Sequence, residues 1–189
     1  MWTRRKWWQK SVVYPIKNFW AILYCLLFWK PPKYEPQKWN DEGFDAEECT
    51  CNLTTETKIQ CKNNCYNYAC EIQTDTFAQP GRASGNEYIS VNCDEVSDGA
   101  ISDGLTAKNC DEPCPNCSHK VALAVAPGWD YHWYRRDDNG MWSHKPGKRA
   151  VRNTDNSDSP ISDPRTADRG PYTQFCGCFC VRKSKVKIT

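Results

Sequence analysis

Thirteen cysteines in a chain of 189 residues constrain this fold more than any other feature. At that density cysteines sit in disulfides, in metal sites or in both. Their number is odd, so at least one thiol is unpaired or pairs with another chain. They fall into groups: Cys49, Cys51 and Cys61; Cys110-x3-Cys114-x2-Cys117; and Cys176-Gly177-Cys178-Phe179-Cys180. If the last group is a strand, alternation puts its three cysteines on one face. From there they reach either the 49–61 group or the 110–117 group. Cys110, Cys114, Cys117 and His119 also have ligand types and spacing that suit zinc. Disulfides are the preferred reading, because that set lacks a clean second cysteine pair. Cys25 and Cys65 are set apart as thiols outside the disulfide framework. Two glycosylation-type sequons, Asn52-Leu53-Thr54 and Asn116-Cys117-Ser118, are too short to fix the compartment.

The chain divides into four stretches. Residues 1–30 are a basic, Trp-rich hydrophobic arm or membrane anchor, 31–48 a Pro-rich linker, 49–181 a cysteine-rich domain and 182–189 a basic tail. The apolar run Phe19 to Trp29 covers eleven residues, whereas a membrane span needs about 20. It ends in Lys30-Pro31-Pro32, which offers no small-residue cleavage site. Two readings remain: an interfacial or signal-anchor helix at a membrane surface, or an arm packed on the domain or a partner. Charge is balanced, 25 Lys+Arg against 23 Asp+Glu, so nucleic acid is not an expected partner. No motif calls for a cofactor.

The pattern predicts an α+β fold. Asn63-Asn64 is a good helix cap, and Tyr66, Tyr68, Ala69 and Ile72 supply the apolar side of a helix from Cys65 to Ile72. A second helix is expected within Val91 to Leu105. Val121 to Ala126 is a short apolar run closed by Pro127-Gly128, as in a buried strand. Asp130 to Arg135 and Met141 to Lys145 flank Asp137-Asp138-Asn139-Gly140, a hairpin turn. Tyr172 to Val181 supplies a last strand. Residues 148–171 read as an irregular surface loop, and the tail from Arg182 as frayed.

The candidate chemistry is thiol plus imidazole. Cys65 falls in the first turn of its helix, where the dipole favours a thiolate. The chain has three histidines, His119, His132 and His144, all downstream of Cys65. A nucleophilic thiol needs a base within reach and a third group to orient it. His144 and His132 rank above His119 as bases, with Asp163 or Asp130 as orienting carboxylates. Asn63 or Asn64 would donate to an oxyanion. Whether His132 and His144 share a face depends on the hairpin loop: an odd number of residues puts them together, an even number apart.

Asn64-Cys65-Tyr66-x-Tyr68-Ala69, with Gln79-Pro80-Gly81 downstream, resembles the nucleophile segment of the papain-like superfamily, CHAP-type amidases and peptidases in particular. His132-Trp133-Tyr134-Arg135, Trp142 to Gly147 and Tyr172 to Gly177 resemble a pattern found in phage and bacterial proteins. The nearest match to that family's histidine is Ser118-His119-Lys120-Val121. The resemblance implies a thiol hydrolase cleaving amide bonds in a peptide or in peptidoglycan, with Cys65, Asn64 and a sheet-borne histidine at work. The alternative is a non-enzymatic, disulfide-stabilised interaction domain attached to a membrane or virion. Trp129, Trp133 and Trp142 would be its contact surface. Either reading places the chain at a membrane or outside the cytoplasm.

Overall fold

The computed structural model describes residues 23–25, 27–41 and 59–189. The arm before residue 23, the sequon at Asn52, and Cys49 and Cys51 of the first cysteine group lie outside these. Beyond residue 58 the described residues form three helices, α1 (Ile59–Lys62), α2 (Cys65–Cys70) and α3 (Cys93–Ser102), followed by five strands. These are β1 (Thr106–Lys108), β2 (His119–Ala126), β3 (Asp130–Arg136), β4 (Trp142–His144) and β5 (Gln174–Val181). They form one antiparallel sheet in the order β1-β5-β2-β3-β4. The fold is α+β, as the pattern predicts.

β2 shows why the sheet is covered on both faces. Its eight residues are all buried, and their sizes alternate. Val121, Leu123 and Val125 join Tyr131, Trp133, Phe179 and Val181 in a core under α2 and α3. Ala122 and Ala124 face the other way, with Tyr134, Trp142 and Cys178. Small side chains there let the 146–173 segment lie close. Ile161, 1 % exposed, packs on this face, and residues 142, 144 and 154 form single bridges with 161, 152 and 160. The expected surface loop is therefore a lid on the second core.

α2 starts where its cap dictates. The Asn64 side chain accepts hydrogen bonds from the backbone N–H groups of Tyr66 and Asn67. The helix stops at Cys70 rather than Ile72, because Glu71 turns into the left-handed region at φ 58°. Tyr66 packs on Trp133 at 5.4 Å between rings.

Four disulfides clamp this frame: Cys25–Cys117, Cys93–Cys176, Cys110–Cys178 and Cys114–Cys180. Cys25 is thus bonded, contrary to its expected free state. The three β5 cysteines also do not share a face. Leu123 pairs with Gly177 and Ala124 with Phe175, so Cys176 is an extra, bulged residue. Gly177 accommodates the bulge at φ 136°. The bulge resets the alternation. Cys176 turns to the helix face and bonds to Cys93 at the start of α3, while Cys178, on the lid face, bonds to Cys110.

The flanking segments are docked. Arg135 donates to the carbonyl of Lys33, the Tyr34 hydroxyl donates to the carbonyl of Val151, and Trp39 meets Tyr68 edge-on. The basic tail does not fray. Val186 and Ile188 are buried in the core, and the Thr189 carbonyl accepts from the backbone N–H of Gln79. Two of the three tryptophans expected on a contact surface, Trp133 and Trp142, are buried; Trp129 is 68 % exposed. Among the described residues no helix is long and apolar enough to cross a membrane.

Candidate functional site

Cys65 lies at the N-terminus of α2, 5 % exposed, with its thiol donating to the carbonyl of Tyr131 at 3.9 Å. Burial pushes this thiol up to about 12, with Asp130 adding in the same direction and the backbone N–H of Trp133 opposing. Desolvation therefore outweighs both the helix terminus and that donor. A six-residue helix also offers a weak dipole. Cys70, fully buried on the same helix, is raised by burial too.

The imidazoles are placed by strand parity. Tyr131 and Trp133 of β3 face the helices, so His132 between them faces the lid. Five residues, 137 to 141, separate the paired Arg136 and Trp142. The odd loop puts His144 on the same face as His132. His132 stacks on Tyr172 at 5.0 Å, and its Nε2 meets His144 Nδ1 at 2.7 Å. His144 Nε2 lies 2.9 Å from the carbonyl of Thr154. That carbonyl can only accept, so His144 carries its proton on Nε2 and accepts at Nδ1 from the Nε2–H of His132. Burial lowers both groups, His144 to about 4 and His132 well below its usual range, where His144 adds to the effect. His119 faces the helices but reaches the far end of α2. Its Nε2–H donates to the carbonyl of Ala69 at 2.7 Å, and burial lowers it to about 4.

Cys65 and His132 line one cleft of about 130 Å³ with Gln79, Asp130, Tyr131 and Tyr172, approaching from opposite sides of β3. The other expected site residues are committed elsewhere. The Asn64 amide donates to the carbonyl of Ala78. Asn63 donates to the carbonyl of Ile59 and to Asp75, and accepts from the backbone of Thr74 and Asp75. Asp163 is paired with Arg165, which reaches on to Asp111. Asp130 accepts from the Tyr172 hydroxyl at 2.8 Å. The zinc alternative is corrected outright. Cys110, Cys114 and Cys117 are consumed in three different disulfides, and His119 is held by α2. No cluster of metal ligands occurs among the described residues.

Sequence reasoning missed a second set of buried polar groups. Arg135 and Asp137 pair at 2.8 Å with side chains 2 % exposed. Arg135 also donates to the Tyr68 hydroxyl, which shares a 2.7 Å hydrogen bond with Ser143, and its guanidinium lies 4.0 Å over the Tyr68 ring. The signal was present: Arg135 continues the inward Tyr131–Trp133 parity, and an arginine facing the core needs a carboxylate such as the one two residues on. Lys120 and Lys145 carry no comparable signal. The buried Lys145 amine donates to the carbonyls of Gln60, Gly147 and Arg149, and the Lys120 amine to those of Asn109, Cys110 and Glu112. Each pins a loop to the sheet.

These features define a disulfide-clamped α+β domain whose thiol and paired histidines are buried on opposite faces of its sheet. No family model matches the chain, and no solved structure matches it. It is 48 % identical over 145 residues to insoluble matrix shell protein 1 of Ruditapes philippinarum, a match covering 77 % of this chain and 86 % of that protein. The chain belongs to the family of that shell protein. This overturns the resemblance to papain-like amidases and to phage and bacterial proteins, and with it the hydrolase reading drawn from that resemblance. The Asn-Cys-x-x-Tyr-Ala likeness has a simpler cause: an asparagine cap followed by residues that pack a short helix onto a sheet.

Proposed function

We propose that this protein is a non-catalytic structural component of an insoluble extracellular matrix, of the kind named for its relative from Ruditapes. One observation carries the reading: the 48 % identity over 145 residues to insoluble matrix shell protein 1. The four disulfides support it, since they form and persist in oxidising compartments outside the cytosol. The state of Cys65 agrees, because a thiol held near 12 supplies little thiolate at neutral pH. Partners on this reading are other matrix components rather than a peptide or peptidoglycan substrate.

Two measurements test it. An antibody against the folded protein should find it in the insoluble fraction of the secreted matrix of the source tissue, released by denaturant with reductant. Recovery from cell lysate alone would refute the assignment. Independently, Cys65→Ser should leave assembly into that fraction unchanged; loss of assembly in a folded Cys65→Ser protein would return the thiol to a central role.

A further inference from the structure

A cleft of about 510 Å³ lies between the N-terminal apolar segment and the basic tail, away from Cys65. Tyr24, Trp29 and Lys30 form one wall, and Arg182 and Lys183 the other. Cys117 and His119 also line it, and Glu71 is the one carboxylate there. Among the described residues, none of Lys30, Arg182 and Lys183 is ion-paired. The Arg182 Nε–H is buried without an acceptor. A buried donor of this kind is costly to leave unmade. Exposed Lys185 and Lys187 extend the positive strip along a tail that buried Val186 and Ile188 hold in place. On the opposite wall Tyr24 is 62 % exposed.

We propose that this cleft binds an anionic polysaccharide, with its sulfate or carboxylate groups on Lys30, Arg182 and Lys183 and its sugar rings against Tyr24 and Trp29. The acidic groups answer three cations that have no ion-pair partner among the described residues, and they supply an acceptor for the Arg182 Nε–H. Flat aromatic faces suit the C–H faces of pyranose rings. An acidic polypeptide would satisfy the cations and leave those rings unused. Nucleic acid suits neither the oxidising compartment nor the balanced charge of the whole chain. The inference rests on the matrix reading for its compartment only.

The Cys25–Cys117 disulfide is part of the site, because Cys25 adjoins Tyr24 and its bond ties the wall of Tyr24, Trp29 and Lys30 to the domain. Cleft and staple should therefore fail together.

The test uses the full, oxidised chain and a heparin octasaccharide in titration calorimetry at low salt, with poly-aspartate and single-stranded DNA of equal charge as competitors. The octasaccharide should bind, more weakly as salt rises. Lys30→Gln with Lys183→Gln, both exposed and outside the core, should weaken it about tenfold, whereas Arg149→Gln, outside the cleft, should not. Trp29→Ala should weaken the octasaccharide more than it weakens poly-aspartate, and Cys25→Ser with Cys117→Ser should abolish binding in a chain that still unfolds cooperatively. Absence of binding, wild-type affinity in the Lys30/Lys183 variant, or a preference for poly-aspartate or DNA would overturn the proposal. A chain retained in the matrix yet blind to the octasaccharide would remove the cleft assignment and leave the structural reading standing.

Discussion

At the scale of single residues, burial decides chemistry. Cys65 has the sequence position of a nucleophile and the environment of a core residue. A thiol held near 12 gives almost no thiolate at pH 7. Ellman's reagent at pH 7 should therefore leave Cys65 and Cys70 unmodified in the native chain and reach both in denaturant. Rapid native labelling of Cys65, located by mass spectrometry, would contradict this. The Arg135–Asp137 pair makes the complementary prediction. Asp137→Ala leaves a guanidinium buried without its carboxylate, at a cost of about 3–5 kcal/mol. A urea unfolding midpoint close to that of the wild type would show that the arginine finds solvent or another acceptor instead. The inward parity of Arg135 was legible in the sequence. Its Tyr68 partner was not, because that residue comes from an element 67 positions away in the chain.

At the scale of elements, β5 sets how the two layers are joined. Unbroken alternation would have put all three of its cysteines on one face. The bulge at Cys176 divides them, so that one strand ties α3 to one face and the 109–118 segment to the other. Gly177 holds φ 136° with nothing within 4 Å of where a Cβ would be. Gly177→Ala therefore costs backbone strain rather than a clash, on the order of 1–3 kcal/mol, readable as a lower urea midpoint. An unchanged midpoint would mean that the bulge relaxes freely. The Cys93–Cys176 bond closes a sequence separation of 83. Removing it by double alanine substitution should cost about 2–5 kcal/mol and loosen α3 first, visible as faster amide exchange in Cys93–Ser102 than in β2. Uniform loss of protection would assign the bond to global stability alone.

At the scale of the whole molecule, two cores share one sheet, and three neutral histidines sit in or between them. His119 and His144 titrate near 4 in the folded chain and near 6.5 when unfolded, and His132 is also lowered. Between those values the unfolded chain binds more protons, so stability present above pH 6.5 is lost as pH falls to 4. Each of His119 and His144 contributes up to about 3 kcal/mol to that loss. Asp137, raised by burial, works in the opposite direction at the acid end. Urea midpoints should fall steeply from pH 6.5 to 4, and His119→Gln or His144→Gln should flatten the slope. A flat profile in the wild type would sink this account.

The sequence by itself determined the α+β class, the capped start of the Cys65 helix, the strands around the Asp137 turn and a framework dominated by disulfides. Each follows from local rules: period, cap, turn chemistry and composition. The tertiary structure alone decided which cysteines pair, that the 146–173 segment is a lid, and that Cys65 and His132 meet one cleft from opposite sides of β3. A single bulged residue and the parity of a five-residue loop settle these outcomes. Both are properties of strand register, which is fixed by partners distant in the chain.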